Sequence, residues 1–263
     1  MRVYVELARR SFQRHLAYRQ ATVAGIFTNA VFGVLIASVY GALYRSRGGE
    51  ADVAGFGLSE IFAFIWIGQS LLMVVAIWGW WEMAASIQTG NVVADLIKPI
   101  DYYGYWLSQD MGRAGCHVLT RFIPTFLLGL LLYDVATPQS VARWPLFAGS
   151  VILAVIVSFA FRFMMNAAAF WMTDIAGIRA TALVATTFLS GMLVPISFFP
   201  PWLRTAVELL PFRTFLMVPI DVFLGHGSAA RALGLQLFWA IALSGLALLV
   251  LRRAVRKVVI QGG

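Results

Sequence analysis

The run from Gln20 to Tyr44, about two dozen residues without a charged side chain, is the feature that most limits what this chain folds into. A helix needs roughly 20 apolar residues to cross a hydrocarbon core that is about 30 Å thick. Comparable runs recur along the chain, at 20–44, 60–81, 115–133, 146–172, 180–199 and 232–251. We therefore predict an all-α membrane protein with six transmembrane helices.

The composition agrees with a chain whose main solvent is lipid. Hydrophobic residues make up 60% of the 263 residues and charged residues 12%, with a mean hydropathy of +0.81. Soluble domains carry about 25% charged residues. Six spans fill the chain, so residues 1–263 are predicted to form a single transmembrane domain that leaves no room for a soluble catalytic domain.

The sequence contains no pattern that predicts a catalytic or metal site. Neither Lys98 nor Lys257 follows the glycine pattern of a phosphate-binding loop, so the chain is not expected to hydrolyse ATP itself. The single Cys116 excludes an internal disulfide and offers no zinc pattern. We predict no catalytic residue, no metal site and no cofactor bound by this chain.

The distribution of basic residues predicts the orientation in the membrane, because Lys and Arg are enriched in short cytoplasmic loops. With both termini inside, twelve basic residues, Lys257 among them, lie on the cytoplasmic side and six, Arg47 among them, on the outer side. The net charge of +8 is concentrated at the ends of the spans. Anionic lipid headgroups are a sufficient partner for it, and we do not expect nucleic acid to bind.

The segment 1–19 is predicted to form an amphipathic helix at the membrane interface. On a helical wheel one face is apolar and the other charged. The apolar face consists of Tyr4, Leu7, Ala8, Phe12, His15 and Leu16. A solvated basic tail is the alternative.

Between the second and third spans lies a loop, residues 82–113, that is predicted to be cytoplasmic and structured. Gly90 is placed to end one helix, Pro99 to break a second, and Asp101 to cap a third. Asp95 and Lys98 lie between them. The alternative is an ordinary connector.

After the fifth span, prolines interrupt a stretch that remains apolar. Because proline breaks helices, this stretch is predicted to form short re-entrant or interfacial helices on the outer side, within 200–231. Pro195 and Pro200 precede the first of these helices, and Trp202 is suited to anchor it at the headgroups. An irregular outer loop is the alternative.

Polar side chains inside the predicted spans indicate a pathway, because they are costly in lipid. Ser158, Arg162 and Asn166 repeat every fourth residue and form one stripe on the fourth helix. Asn29 and Gln69 are predicted to line the same cavity. Arg162 has an alternative placement, with its side chain extended to the interface.

The arrangement resembles the ABC-2 type permeases, the membrane subunits of bacterial ABC exporters. The amphipathic N-terminus and the six spans share this pattern, as do the segments Thr89–Asp101 (TGNVVADLIKPID) and Leu193–Leu203 (LVPISFFPPWL), followed by Leu210-Pro211-Phe212. The resemblance covers the whole chain. It rests mainly on the order and spacing of these elements.

The resemblance implies a subunit that dimerises, with itself or with a second, related permease, over two copies of a separate ATPase that holds ATP and Mg. It implies that the loop with Gly90, Asp95, Lys98, Pro99 and Asp101 couples to that ATPase. It also implies that the proline-rich segment with Pro195, Pro200 and Trp202 closes the outer exit. The location implied is the plasma membrane of a bacterium.

The substrate expected from this resemblance is a lipophilic or amphipathic small molecule, such as a drug, an antibiotic or a lipid. Abundant Phe, Trp and Met side chains favour adaptable apolar contacts, whereas an arginine in the pathway favours an anion. An ion-coupled secondary carrier and a membrane scaffold that transports nothing remain as alternatives.

Overall fold

The computed structural model describes residues 2–46 and 52–256, and this part of the chain is helical throughout apart from turns and connecting segments. The predicted orientation residues Arg47 and Lys257 lie outside the described residues. The α-helices in chain order are α1 (Arg2–Leu16), α2 (Arg19–Ser46), α3 (Leu58–Leu71), α4 (Glu82–Gln88), α5 (Val92–Leu96), α6 (Tyr102–His117), α7 (Ile123–Leu132), α8 (Arg143–Ala167), α9 (Ala176–Leu189), α10 (Pro201–Glu208), α11 (Met217–Leu224) and α12 (Ala229–Val255).

Four helical segments are long and apolar enough to cross a membrane: Arg19–Ser46, Tyr102–Leu132, Arg143–Phe170 and Ala229–Val255. The all-α membrane fold is therefore confirmed. The other two predicted spans correspond to α3 and α9, which have 14 residues each. At 1.5 Å per residue each is about 21 Å long, shorter than a hydrocarbon core. The layout with six complete crossings stays a prediction.

The two short apolar helices end where the backbone turns. After α3 the chain takes positive φ angles at Ala76 (51°) and Gly79 (88°), so the predicted span 60–81 is helical only in its first part. After α9, Gly191 has a φ of 81° and Pro195 precedes a short 3-10 turn. Left-handed backbone conformations and proline both stop an α-helix.

The third predicted span begins at Tyr102 rather than near residue 115, so the last part of the predicted loop 82–113 is helical. α6 continues through a π-helical turn at Val118–Phe122 into α7. Pro124, at the start of α7, clashes with a regular i−4 carbonyl, and a wider turn relieves that clash. Asp110 and Arg113 belong to the predicted loop 82–113 but lie inside this helix. Their side chains form an ion pair there.

The helices pack into a bundle in which α1 lies along α6, α2 lies on α3, and α8 packs against α11 and α12. The face of α2 that carries Gly33 and Gly41 packs inside the subunit. Gly33 lies against the ring of Trp66, where a Cβ atom would come within 3.0 Å, and Gly41 faces Phe62. Large apolar side chains on the outside of α2 and α12, including Phe27, Leu35 and Phe238, are exposed, as expected of surfaces that face lipid.

Candidate functional site

The segment between α3 and α4 is non-helical backbone in the middle of an apolar bundle. Buried carbonyl groups that lack helical partners need hydrogen bonds from elsewhere. Residues 72–78 form successive turns, and Val74, Val75 and Ile77 in this stretch are almost fully buried. Side chains that donate hydrogen bonds to these carbonyl groups therefore connect this segment to the helices around it.

Side chains from α6 and α9 supply part of these donors. The guanidinium group of Arg113 donates to the carbonyl oxygens of Met73 and Val74, with a distance of 2.9 Å to the latter. The hydroxyl of Thr186, on α9, donates to the carbonyl oxygen of Ile77 at 3.0 Å. Neither Arg113 nor Thr186 was among the residues that the sequence predicted for the site.

The predicted polar stripe of α8 supplies two further side-chain donors to this segment. The hydroxyl of Ser158 donates to the carbonyl oxygen of Val75 at 2.5 Å. The amide of Asn166 donates to the carbonyl oxygen of Trp80 at 3.0 Å and accepts from the backbone N–H of Ala84 at 2.9 Å. Both residues are buried. In this conformation the stripe faces protein and fastens the broken segment to α8.

Asn166→Ala is expected to lower the free energy of unfolding by about 1–3 kcal/mol, because it leaves the part-buried carbonyl of Trp80 and the buried N–H of Ala84 without partners. Thermal unfolding of the purified protein in detergent measures this. Asn91→Ala is the matched control, since the Asn91 amide bonds only to the exposed Thr89 hydroxyl among the described residues. Equal unfolding temperatures for the two variants would contradict the anchoring role of Asn166.

A buried ion cluster lies beside the broken segment. Asp110, on α6, is fully buried and accepts hydrogen bonds from Arg162 of α8, at 3.2 and 2.9 Å, and from Arg113, at 2.8 Å. Arg162 also donates to Ser158 at 3.2 Å. Arg162 is itself buried, so its side chain does not extend to the interface. The cluster joins two spanning helices.

The other two predicted pathway residues form a separate pair. The side-chain amide of Asn29, on α2, donates to the backbone carbonyl of Gln69, on α3, at 3.1 Å. Both residues are buried. The structure thus brings Ser158, Arg162 and Asn166 together and Asn29 and Gln69 together. A role in substrate passage stays a prediction for all five.

The predicted coupling loop contains two short helices. α4 ends before Gly90, whose φ of 77° is a left-handed conformation suited to glycine. α5 follows, and the Lys98 ammonium donates to the Asp95 carboxylate at 2.6 Å, which raises the pKa of Lys98. Ile97 is 78% exposed, and Lys98 and Pro99 are exposed beside it. The tip of the loop therefore presents an apolar side chain to the surroundings.

The loop is attached directly to a spanning helix. Asp101 is the N-cap of α6, as predicted, and its carboxylate accepts from the Gly104 N–H at 2.6 Å. Its backbone N–H donates to the Tyr4 hydroxyl of α1 at 3.3 Å. Asp101 therefore links the end of the loop to both α1 and α6.

The amphipathic helix α1 is held against α6 and α4 along its length. The Ser11 hydroxyl donates to the carbonyl oxygen of Gln109 at 2.7 Å, and Arg14 donates to both carboxylate oxygens of Glu82, at 3.2 and 2.9 Å. Its charged face is exposed, including Arg9 and Arg10. The less exposed face packs on protein.

The predicted outer-gate residues lie where the chain turns between short helices. Pro195 precedes the 3-10 turn Ile196–Phe198, and Pro200 precedes α10, which starts at Pro201. Trp202, in the first turn of α10, is 73% exposed, as expected of a headgroup anchor. That these residues lie at the outer face of the membrane and close an exit there stays a prediction.

A cavity of about 320 Å³ lies between α10, α11 and the segment before α3. Its lining contains two ion pairs, Arg204 with Glu208 and Arg213 with Asp221, at 2.9 and 3.0 Å. The His226 ring also lies 3.1 Å from Glu60. The described charges here are mutually paired, so the cavity has no strong preference for one sign of ligand.

Comparison with known families decides the assignment. A family model described as ABC-2 family transporter protein matches residues 33–262. The chain belongs to this ABC-2 transporter family. The match begins within α2, so it does not include α1. No curated protein and no solved structure matches the chain. As a member of the ABC-2 family it is an integral membrane protein and the membrane component of an ABC transporter, whose ATPase is a separate subunit.

Proposed function

We propose that this chain is the permease subunit of an ATP-driven exporter, moving a lipophilic or amphipathic small molecule out of the cytoplasm or the inner leaflet. It forms a dimer, with itself or with a second permease, over two copies of the ATPase. ATP and Mg are bound by that partner. The assembly lies in the plasma membrane of a bacterium, with both termini in the cytoplasm.

The observation that carries this proposal is the attachment of an exposed loop to the spanning helices. The loop tip, with Ile97 exposed, is separated from α6 only by the short turn through Pro99 to the Asp101 cap. α6 in turn contains Asp110, which binds Arg162 of α8. An ATPase that pushes on the tip would thus move two spanning helices as a unit.

The transport step follows from two states that differ in their contacts with the substrate. Movement of α6 and α8 would alter access along Asn29, Gln69, Ser158, Arg162 and Asn166. The turns at Pro195 and Pro200, with Trp202 at their edge, would form the outer closure. When ATP binding closes the two ATPase subunits, they would push on the coupling loop. The loop residues that would receive this force are Gly90, Asp95, Lys98, Pro99 and Asp101.

The decisive experiment is affinity purification of a tagged chain from its native membrane in mild detergent, followed by mass spectrometry. Recovery of a nucleotide-binding ATPase supports the proposal, and a second permease beside it would identify a heterodimer. A chain recovered alone, or only with itself, would contradict the proposal. That result would favour an ion-coupled carrier or a membrane scaffold.

Ile97→Asp is expected to reduce the recovered ATPase about tenfold or more, because it places a charge in an apolar contact, and a contact worth about 1.4 kcal/mol corresponds to a factor of ten. The control is Val141→Asp, a comparable change at a residue that is 85% exposed in the loop before α8. Both variants should unfold like the native protein. Equal recovery of the ATPase with the two variants would show that Ile97 does not contact the ATPase.

A further inference from the structure

A second cavity, of about 280 Å³, lies where the α1–α2 junction, the broken segment after α3 and the helical segment Tyr102–Leu132 meet. Basic and aromatic side chains from three elements line it: Arg113, His117, Arg121, Trp78 and Trp80. It lies next to α1 and is distinct from the cavity beside α10. None of the five predicted pathway residues lines it.

The charge around this cavity is unbalanced. Three buried guanidinium groups, of Arg113, Arg121 and Arg162, accompany Asp110, the one fully buried carboxylate in residues 2–46 and 52–256. Glu82 is the one acidic residue in the described lining, and its carboxylate is half-exposed and bound by Arg14. Buried charge without a counter-charge is costly, so an anion in the cavity would relieve it.

Arg121 is the cation with the least compensation. It is 7% exposed and forms no ion pair with any described residue. One Nη atom donates to the carbonyl oxygen of Ala21 at 2.5 Å, and Nε has no partner within the described residues. The guanidinium lies directly over Gly25, where a Cβ atom would come within 1.1 Å of it. The glycine thus leaves room for a buried cation beside α2.

Two further lining residues have polar atoms that no described residue satisfies. They are Nδ1 of His117 and Nε1 of Trp80. Buried polar groups are nearly always hydrogen-bonded, so these atoms are available to bind a polar group that enters the cavity. Burial lowers the pKa of His15, at the edge of the lining, and so disfavours its charged form.

The surroundings favour an amphiphile over a free ion. Trp78 is half-exposed and Tyr18 exposed, and both line the cavity beside the amphipathic helix α1. The basic groups lie deeper, on α6 and the π-helical turn that follows it. This order, apolar and aromatic outside and cationic inside, matches a molecule with an anionic head and an apolar tail.

We propose that this cavity binds the anionic head group, a phosphate or a carboxylate, of a membrane amphiphile, and that such amphiphiles are the class of cargo. The assignment as cargo rests on the permease function proposed above. The binding itself needs only this chain. Arg121 provides the charge that selects the head group.

The test is a titration of the purified permease with fluorescent phosphatidylglycerol, an anionic amphiphile, and with fluorescent diacylglycerol of the same chain length, which has no phosphate. The native protein is expected to bind the anionic lipid about tenfold more tightly, the effect of one charge contact worth about 1.4 kcal/mol. Arg121→Gln is expected to remove that preference, and Arg121→Lys to retain part of it.

Arg143→Gln is the matched control. Arg143 also donates to a backbone carbonyl, that of Leu224 at 2.8 Å, and also lies over a glycine, Gly225. It is at the start of α8 and does not line the cavity. Its variant should keep the preference for the anionic lipid.

Equal affinity of the native protein for the two lipids would overturn the proposal without any variant, even if Arg121→Gln fails to fold. Displacement of the bound lipid by inorganic phosphate at equal concentration would identify a free-anion site and overturn the assignment of an amphiphile. In the complex with the ATPase, the anionic lipid should also stimulate ATP hydrolysis. Binding without stimulation would overturn the assignment as cargo, whereas absence of an ATPase would contradict only the proposed function.

Discussion

Asp110→Asn is expected to lower the free energy of unfolding by about 3–5 kcal/mol, because it removes the anion that Arg113 and Arg162 share inside the bundle. Asparagine preserves the shape of the side chain but not its charge. Two buried cations would then remain without a counter-charge. The variant should accumulate poorly in the membrane and unfold at a much lower temperature when purified in detergent.

The matched control for Asp110 is Glu6→Gln, which removes an exposed carboxylate from its pair with Arg10. Exposed ion pairs contribute little to stability, so this variant should unfold close to the native temperature. If Asp110→Asn behaved like this control, the buried cluster would not be what joins α6 to α8. A smaller loss in Asp110→Glu than in Asp110→Asn would assign the effect to charge.

Gly112→Ala is expected to separate α1 from α6. A Cβ atom at Gly112 would lie 2.0 Å from the backbone carbonyl oxygen of Ala8, so one of the two helices must move. Overpacking of this kind costs about 1–3 kcal/mol. In the proposed permease the variant should also weaken the response of transport to ATP, since α1 would no longer brace the loop. Thermal unfolding and ATP-dependent transport measure the two effects.

Gly115→Ala makes the same substitution one turn later in the same helix. There the nearest atom is Cδ2 of Phe12 at 3.8 Å, an ordinary contact. Both substitutions gain the same helix propensity, about 0.5–1 kcal/mol, so the difference between them isolates the clash. Gly115→Ala should be neutral or slightly stabilising. Equal stability of the two variants would show that α1 is not held close to α6.

Local signals in the sequence predicted several structural details correctly. The Asp101 cap, the turn at Gly90 and the start of a helix after Pro200 depend on side chains and backbone preferences within a few residues. The helix α1 itself was predicted for the same reason, whereas its location at the membrane interface stays a prediction. Each of these can be recognised without knowing the partner helix.

Details that depend on distant partners were missed. The sequence pattern places Asp110 and Arg113 in the loop 82–113, yet both lie in α6, where Asp110 pairs with Arg113 and with Arg162 of α8. The i, i+3 spacing of Asp110 and Arg113 between apolar residues was the one signal available. The break after α3 was hidden because its donors, Arg113, Ser158 and Asn166, lie far along the chain.

By itself, the sequence determined that this is a helical membrane protein, because the length and hydropathy of each span must match the thickness of the bilayer. The ABC-2 family was recognised from the order and spacing of its segments and is shown by the family model. Only the tertiary structure decided where its buried charges and broken backbone find partners. Hydrogen bonds and ion pairs of this kind join residues that are close in space but distant in sequence, as Asp110 and Arg162 are. Hydropathy carries no information about such pairs.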